Sequence, residues 1–283
     1  MKLVRYEADG VAQPGAIKDD GIVSLAPLGI TSMMELIAAG AEELDRVRAF
    51  VEEASPQLPL SQAKLLAPVE RPGKYLAIGM NYKKHLEEAD KLGVARASHQ
   101  SWFNKQTTCI SGPFDDIDPG VTEKLDYEVE LGVVIGKRAK SVSIDDAPDY
   151  VFGYLVANDV SARDWQFHSQ QFTIGKSFDT HGPIGPWIVT ADEIPDPHCL
   201  DLRCYVNGEL RQENNTGNMI HDIWQQISYL STAFTLDPGD LIASGTPEGV
   251  GIGRDPQVFL QPGDVVRCEV DTIGTIENRV VVP

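Results

Sequence analysis

The chain has 283 residues, 42% of them hydrophobic, and a formal net charge of −18 at pH 7. That is enough apolar material for one large folded unit, or one large and one small. So acidic a surface disfavours nucleic acid and anionic membrane as partners, and no apolar run reaches the length of a membrane span. An anionic small molecule would need a local positive site, from a metal or from lysines.

The opening stretch, Met1-Lys2-Leu3-Val4-Arg5-Tyr6-Glu7, lacks an apolar signal core, so the cytoplasm is the expected location. Residues 1–69 predict a small N-terminal α/β domain. Strand character runs over 3–6 and 15–25. One or two helices are expected over 31–54, with Thr31 or Ser32 as the cap of Met33-Met34-Glu35-Leu36-Ile37. Pro56, Pro59 and Pro68 punctuate the exit. Residues 70–283 predict a second domain of short strands and Gly/Pro turns, with helices over 82–92, 162–170 and 219–234. Strands dominate and no βαβ period runs through the chain, so an α+β fold is expected rather than a doubly wound parallel sheet. Cys109, Cys199, Cys204 and Cys268 form no C-x-x-C pair and have no His at zinc-finger spacing, so buried or half-buried free thiols are expected.

The most informative stretch is Leu125-Asp126-Tyr127-Glu128-Val129-Glu130-Leu131-Gly132-Val133-Val134-Ile135. It alternates as a half-buried strand does. Tyr127, Val129, Leu131, Val133 and Ile135 share one face, and Glu128 with Glu130 share the other. A second strand over 151–158 runs into Asp159. Adjacent carboxylates repel, so a positive charge is expected among Glu128, Glu130 and Asp159, and a hard divalent cation suits them.

Other segments are chemically suggestive. His85 and Glu88 lie three apart in a helical stretch, so the carboxylate can orient the imidazole as a base; a charged helix surface has the same spacing. Ser161 can cap a helix that presents Arg163 and Gln166 beside Asp159, or the segment is an ordinary solvated helix start. Lys176 sits in Gly175-Lys176-Ser177-Phe178-Asp179-Thr180, where it can neutralise a carboxylate or an enolate, or serve as a surface charge. The Gly-rich run 244–253 follows an apolar strand, and its amides and the Thr246 hydroxyl can bind a carboxylate. That run is neither a P-loop nor a dinucleotide fingerprint, and no G-x-S-x-G elbow exists.

In order, the segments 79–88, Phe103-Asn104-Lys105, 125–136, 159–166, 175–180, Val206-Asn207-Gly208-Glu209 and 244–251 resemble the fumarylacetoacetate hydrolase family. The resemblance spans residues 70–283, and the first seventy residues resemble the smaller N-terminal domain of many bacterial members. It implies a mixed β-roll, usually dimeric. It also implies Mg²⁺, or Mn²⁺ or Ca²⁺, held by Glu128, Glu130 and Asp159, with water completing the shell because no further upstream ligand is placed. His85 and Glu88 match a water-activating pair on a mobile lid. Lys176 matches a group that stabilises the enolate, and Lys105, Arg163, Gln166 and Thr246 match positions that contact the substrate or the metal shell. The activity implied is hydrolysis of the C–C bond of a β-diketo acid. The stretch Trp102-Phe103-Asn104-Lys105-Gln106 resembles the branch acting on 2,4-diketo-3-deoxy sugar acids, with Asn104 and Gln106 available for hydroxyls. Acylpyruvate hydrolysis, and decarboxylation or isomerisation of oxaloacetate, are the alternatives on the same site; a non-catalytic binding protein is a further one.

Overall fold

The computed structural model describes residues 1–91, 93 and 98–282. It is a strand-dominated α+β fold built on a twelve-stranded sheet and a four-stranded sheet. Ten strands of the large sheet run, edge to edge, Leu58–Pro59, Gly21–Ser24, Val11–Lys18, Lys2–Ala8, Gly182–Thr190, Val151–Asn158, Val129–Ile135, Leu241–Ala243, Tyr75–Gly79 and Ser101–Lys105. The small sheet is an antiparallel set, Glu209–Asn215, Asp201–Val206, Val265–Val270 and Gly274–Arg279. Among the described residues, no helix is long and apolar enough to cross a membrane.

The boundary expected at residues 69 and 70 does not separate two sheets. Strand Lys2–Ala8 pairs antiparallel with Gly182–Thr190, Lys2 opposite Val189, and the Met1 ammonium donates to Thr190 Oγ1 at 2.6 Å. Leu3, Val23, Leu36 and Val47 share one apolar core with Val134, Leu155 and Ile184. The N-terminal residues therefore extend the sheet of the rest of the chain and cover one of its faces.

Strand Val129–Ile135 is buried along its whole length, not half-buried. Val129, Leu131, Val133 and Ile135 pack into the core that also takes Leu202, Cys204, Val266, Cys268 and Ile276 from the small sheet. The opposite face puts Val134 in the second core and leaves Glu128 and Glu130 inside the protein. Period-two spacing identified the faces correctly; it did not report that both are covered.

Residues 31–54 form Met33–Ala39 and Ala41–Glu53, and Ser32 accepts from the Glu35 amide as the cap. Residues 219–234 give Ile223–Ala233, opened by a capping box of Asp222 and Gln225. The helix expected over 82–92 is Lys83–Lys91, and residue 92 lies outside the described residues. The helix expected over 162–170 is only the turn Arg163–Gln166. Ser161 does not cap it. Its hydroxyl donates to the Asp159 carbonyl, and Ser161–Ala162 is held as a strand against Leu125–Asp126. The cysteines are free; Cys109, Cys204 and Cys268 are buried, whereas Cys199 is exposed.

Candidate active site

Two adjacent antiparallel strands bring the acids together. Val129 pairs with Asn158 and Glu130 with Ala157, and the Asp159 amide donates to the Glu128 carbonyl at 2.9 Å. Glu128, Glu130 and Asp159 each offer an oxygen, all within 4.8 Å of one another, and all three side chains are buried. Like charges so placed cannot all stay ionised without compensation.

Much of that compensation comes from the chain itself. Lys176 Nζ donates to Glu128 Oε2 at 2.7 Å and to Asp159 Oδ2 at 2.9 Å. Lys105 Nζ donates to Asp159 Oδ1 at 2.6 Å, to the His181 carbonyl at 3.0 Å, and to the Lys176 carbonyl. Arg163 Nε donates to Asp126 Oδ2 at 2.8 Å and Nη1 to Gln166 Oε1 at 3.0 Å, while Nη2 forms an ion pair with Glu128 Oε1 at 2.6 Å. Burial alone would raise the Glu128 carboxyl, but Lys176 and Arg163 pull it down to about 2. Glu130 is the exception. It accepts the Gly245 amide at 2.7 Å, and burial, reinforced by Asp159 and Glu128, pushes its carboxyl well above the usual range.

The four acids Asp126, Glu128, Glu130 and Asp159 thus face the three cations Lys105, Lys176 and Arg163. Were all four ionised, one buried negative charge would be left over; among the described residues Glu130 is the acid with no cation paired to it, and without a bound ion its raised carboxyl favours the protonated form. Three clustered oxygen donors with an uncompensated charge fit a hard divalent cation, and Glu128, Glu130 and Asp159 are the residues that would hold it.

A cavity opens beside this cluster, lined by His85, Glu88, Glu128, Arg163, Gln166, Lys176 and Thr246 as well as by apolar side chains. His85 Nδ1 lies 3.1 Å from Glu88 Oε2. Glu88 is itself fixed by the Gly249 amide, which donates to Oε1 at 3.0 Å. The structure therefore brings His85, Glu88, Lys176, Arg163, Gln166 and Thr246 to one cavity. Lys105 behaves differently from the expected substrate contact: it is sealed behind Asp159, with its donors spent on protein acceptors, and does not line the cavity. Thr246 lines it, but its hydroxyl donates to the Val129 carbonyl at 3.0 Å and accepts from Gln212 Nε2 at 2.8 Å. Asn104 and Gln106, read as possible hydroxyl binders, are exposed and are not part of the lining.

The Gly-rich run does bind carboxylates, but they are the protein's own. Besides Glu130 and Glu88, it holds Asp126, whose Oδ1 and Oδ2 accept the amides of Gly251 and Ile252 at 2.7 and 3.0 Å. A side chain at Gly251 would come within 2.6 Å of Asp126 Oδ1 and 2.1 Å of the Val258 carbonyl, so only glycine permits this approach. Asp126 was missed as a site residue. The signal was present, because it stands two before Glu128 in the alternating stretch; that it would sit on a separate short strand, Leu125–Asp126, and anchor Arg163 and a loop more than a hundred residues away was not legible.

Comparison with known proteins agrees with this geometry. Residues 74–281 match the family model described as fumarylacetoacetate (FAA) hydrolase C-terminal. A mitochondrial oxaloacetate tautomerase of Bos taurus is 42% identical over 291 residues, covering 99% of this chain and 92% of that protein. A fumarylacetoacetate hydrolase of the psychrophile Exiguobacterium antarcticum superposes with a TM-score of 0.84 at 36% identity over 100% of both chains. The maleylpyruvate hydrolase of Sphingobium sp. SYK-6, in complex with manganese(II) and pyruvate, gives a TM-score of 0.82 at 32% identity, covering 100% of this chain and 99% of that one.

Proposed function

The chain belongs to the fumarylacetoacetate hydrolase family, and from that membership we propose that it is a divalent-cation-dependent enzyme moving a short 2-oxo acid, of the oxaloacetate class, between its enol and keto forms. The observation that carries this reading is the uncompensated Glu130 in the acid cluster, set beside a cavity that holds an oriented imidazole. A relative sharing 42% of its residues bears the name of that activity. When bound, the cation would polarise the 2-oxo-carboxylate end of the acid and take up charge as the enolate forms. Mg²⁺ and Mn²⁺ suit three oxygen ligands equally, and Ca²⁺ is the third choice.

The protein's own groups account for the proton. Glu88 at Nδ1 favours the tautomer in which Nδ1 carries hydrogen, leaving Nε2 as the base. His85 takes the proton from the enol oxygen and returns it to the adjacent carbon, so nothing is gained or lost overall. Lys176, already lining the cavity, adds a positive charge beside the enolate. Its ammonium lies 5.1 Å from the centre of the Phe103 ring, which holds it without spending a further acceptor.

C–C hydrolysis of an acylpyruvate is the second reading, because an imidazole oriented by a carboxylate at 3.1 Å can equally activate water. A polyhydroxylated sugar acid has less support, since Asn104 and Gln106 are exposed outside the cavity. The expected homodimer belongs to the same proposal, and light scattering tests it.

The deciding experiment mixes purified protein and Mn²⁺ or Mg²⁺ with enol-oxaloacetate and follows the loss of enol absorbance, with product mass recorded. Faster ketonisation, abolished by a chelator and with mass unchanged, is expected. Addition of water would transfer the site to hydrolysis, and no effect on oxaloacetate or acylpyruvates with any divalent ion would sink the proposal.

A further inference from the structure

The charged end of the cavity explains how an acid is held; the other end says what else the acid carries. Ile78, Phe103, Phe167, Phe172, Val250 and Ile252 contribute apolar lining. Phe172 meets Phe103 edge-on with ring centres 6.1 Å apart, and meets Phe167 in the same way at 6.2 Å. These three rings form a continuous aromatic wall. Phe167 is 53% exposed, and with Phe172 and Ile252 it also lines a second cavity, rimmed by the exposed His168, Ser169 and Gln170.

Two further facts make this wall more than leftover core. Phe172 has φ +62°, a left-handed conformation that a bulky side chain adopts only at a cost. The backbone holds that ring in the wall against its own preference. Meanwhile each described cation at the site is committed to the protein, Lys176 and Lys105 to the acids and Arg163 to Asp126, Glu128 and Gln166. Among the described residues, the apolar lining of this cavity therefore offers no unpaired lysine or arginine to a distal group, and the nearby polar side chains, His168, Ser169 and Gln170, stand at the rim of the second cavity. Burying hydroxyls there without partners would weaken binding.

We infer that Phe103, Phe172 and Phe167, with Val250 and Ile252, form a second subsite that takes the tail of the substrate, and that this tail is alkyl or aryl rather than polyhydroxylated. Oxaloacetate occupies only the charged end. This rests on the reading of that end as a 2-oxo-acid site, and it extends that reading by naming the class of substituent the enzyme selects.

Calorimetry with the Mn²⁺-loaded protein tests it without relying on turnover. The ligands are 2-oxobutyrate, 2-oxopentanoate, 2-oxohexanoate, phenylpyruvate, and a six-carbon 2-oxo acid hydroxylated along its chain. Affinity is expected to rise about two- to fourfold per methylene added, with phenylpyruvate among the tightest and the hydroxylated acid no better than 2-oxobutyrate. Phe167→Ala, on an exposed side chain, and Phe172→Leu should each flatten the series; the slope is the readout, not the absolute affinity. A flat series in the unmodified protein, a hydroxylated acid that binds as tightly as 2-oxohexanoate, or a slope unchanged in both variants would overturn the subsite while leaving the 2-oxo-acid reading intact. Failure of every 2-oxo acid to bind would overturn both.

Discussion

Arg163 and Arg203 each gather acidic side chains, one beside the cavity and the other on the outer face of the small sheet. Arg203 has the more regular set, with hydrogen bonds to Asp201, Glu213 and Asp271 at 3.0–3.1 Å. Its side chain is 26% exposed and that of Arg163 is 5% exposed. Water and salt screen the first cluster, so its many contacts contribute little. The second lies in a medium where every unpaired charge is costly, and its partners are the acids of the site. The number of ion pairs therefore says little about their consequence; the environment decides it.

Substitutions should separate these regions, and the greatest loss is expected where a charge is left over. Glu130→Gln should abolish Mn²⁺ binding by calorimetry and lower turnover by about a thousandfold or more. In the absence of cation the same variant should melt no lower than the parent, because the amide is neutral, as the protonated Glu130 carboxyl is. A clear drop in melting temperature would show that Glu130 is structural. Arg163→Met strands Asp126 and Glu128 and should cost about 3–5 kcal/mol in urea unfolding. His85→Ala should leave stability near that of the parent and slow turnover about a hundredfold or more; retained turnover would remove the imidazole from the mechanism.

Two smaller effects sharpen the contrast. The raised Glu130 carboxyl keeps its proton in the folded protein at a pH where the unfolded chain, with a normal value near 4.5, has lost it. The folded state then binds more protons, so the cation-free protein should lose stability as pH rises above about 4.5, by at most about 1.4 kcal/mol per pH unit for this group. Unfolding series with and without Glu130→Gln check this, and Mn²⁺ affinity should rise over the same window. Arg203→Ala should cost under about 1 kcal/mol, and the loss should shrink in high salt.

The acid strand was legible because period two is a local property. It put Glu128 and Glu130 together and set Val129, Leu131 and Val133 opposite them. Asp159 was legible as the acid that ends an apolar run. The helix caps at Ser32 and Asp222 follow from local hydrogen bonding, although only the first was read. The helix expected over 162–170 stops at Gln166; its first expected residue is lost because Ser161–Ala162 is recruited to pair with Leu125–Asp126, and that partner lies more than thirty residues away. The pairing of strand Lys2–Ala8 with Gly182–Thr190 was illegible likewise, since it cannot be seen from residues 1–69 alone.

The sequence by itself determined the chemical inventory and its local order: which acids share a strand face, that His85 and Glu88 are helical neighbours, and that glycines crowd one loop. Tertiary structure decided how those groups are spent. It buried both faces of the acid strand, turned Lys105 from a substrate contact into a prop for Asp159, and gave the loop amides to Glu130, Glu88 and Asp126. The reason is that a charge's role depends on what stands within a few ångströms of it and on how much water remains. Both are settled by contacts between residues tens to more than a hundred positions apart.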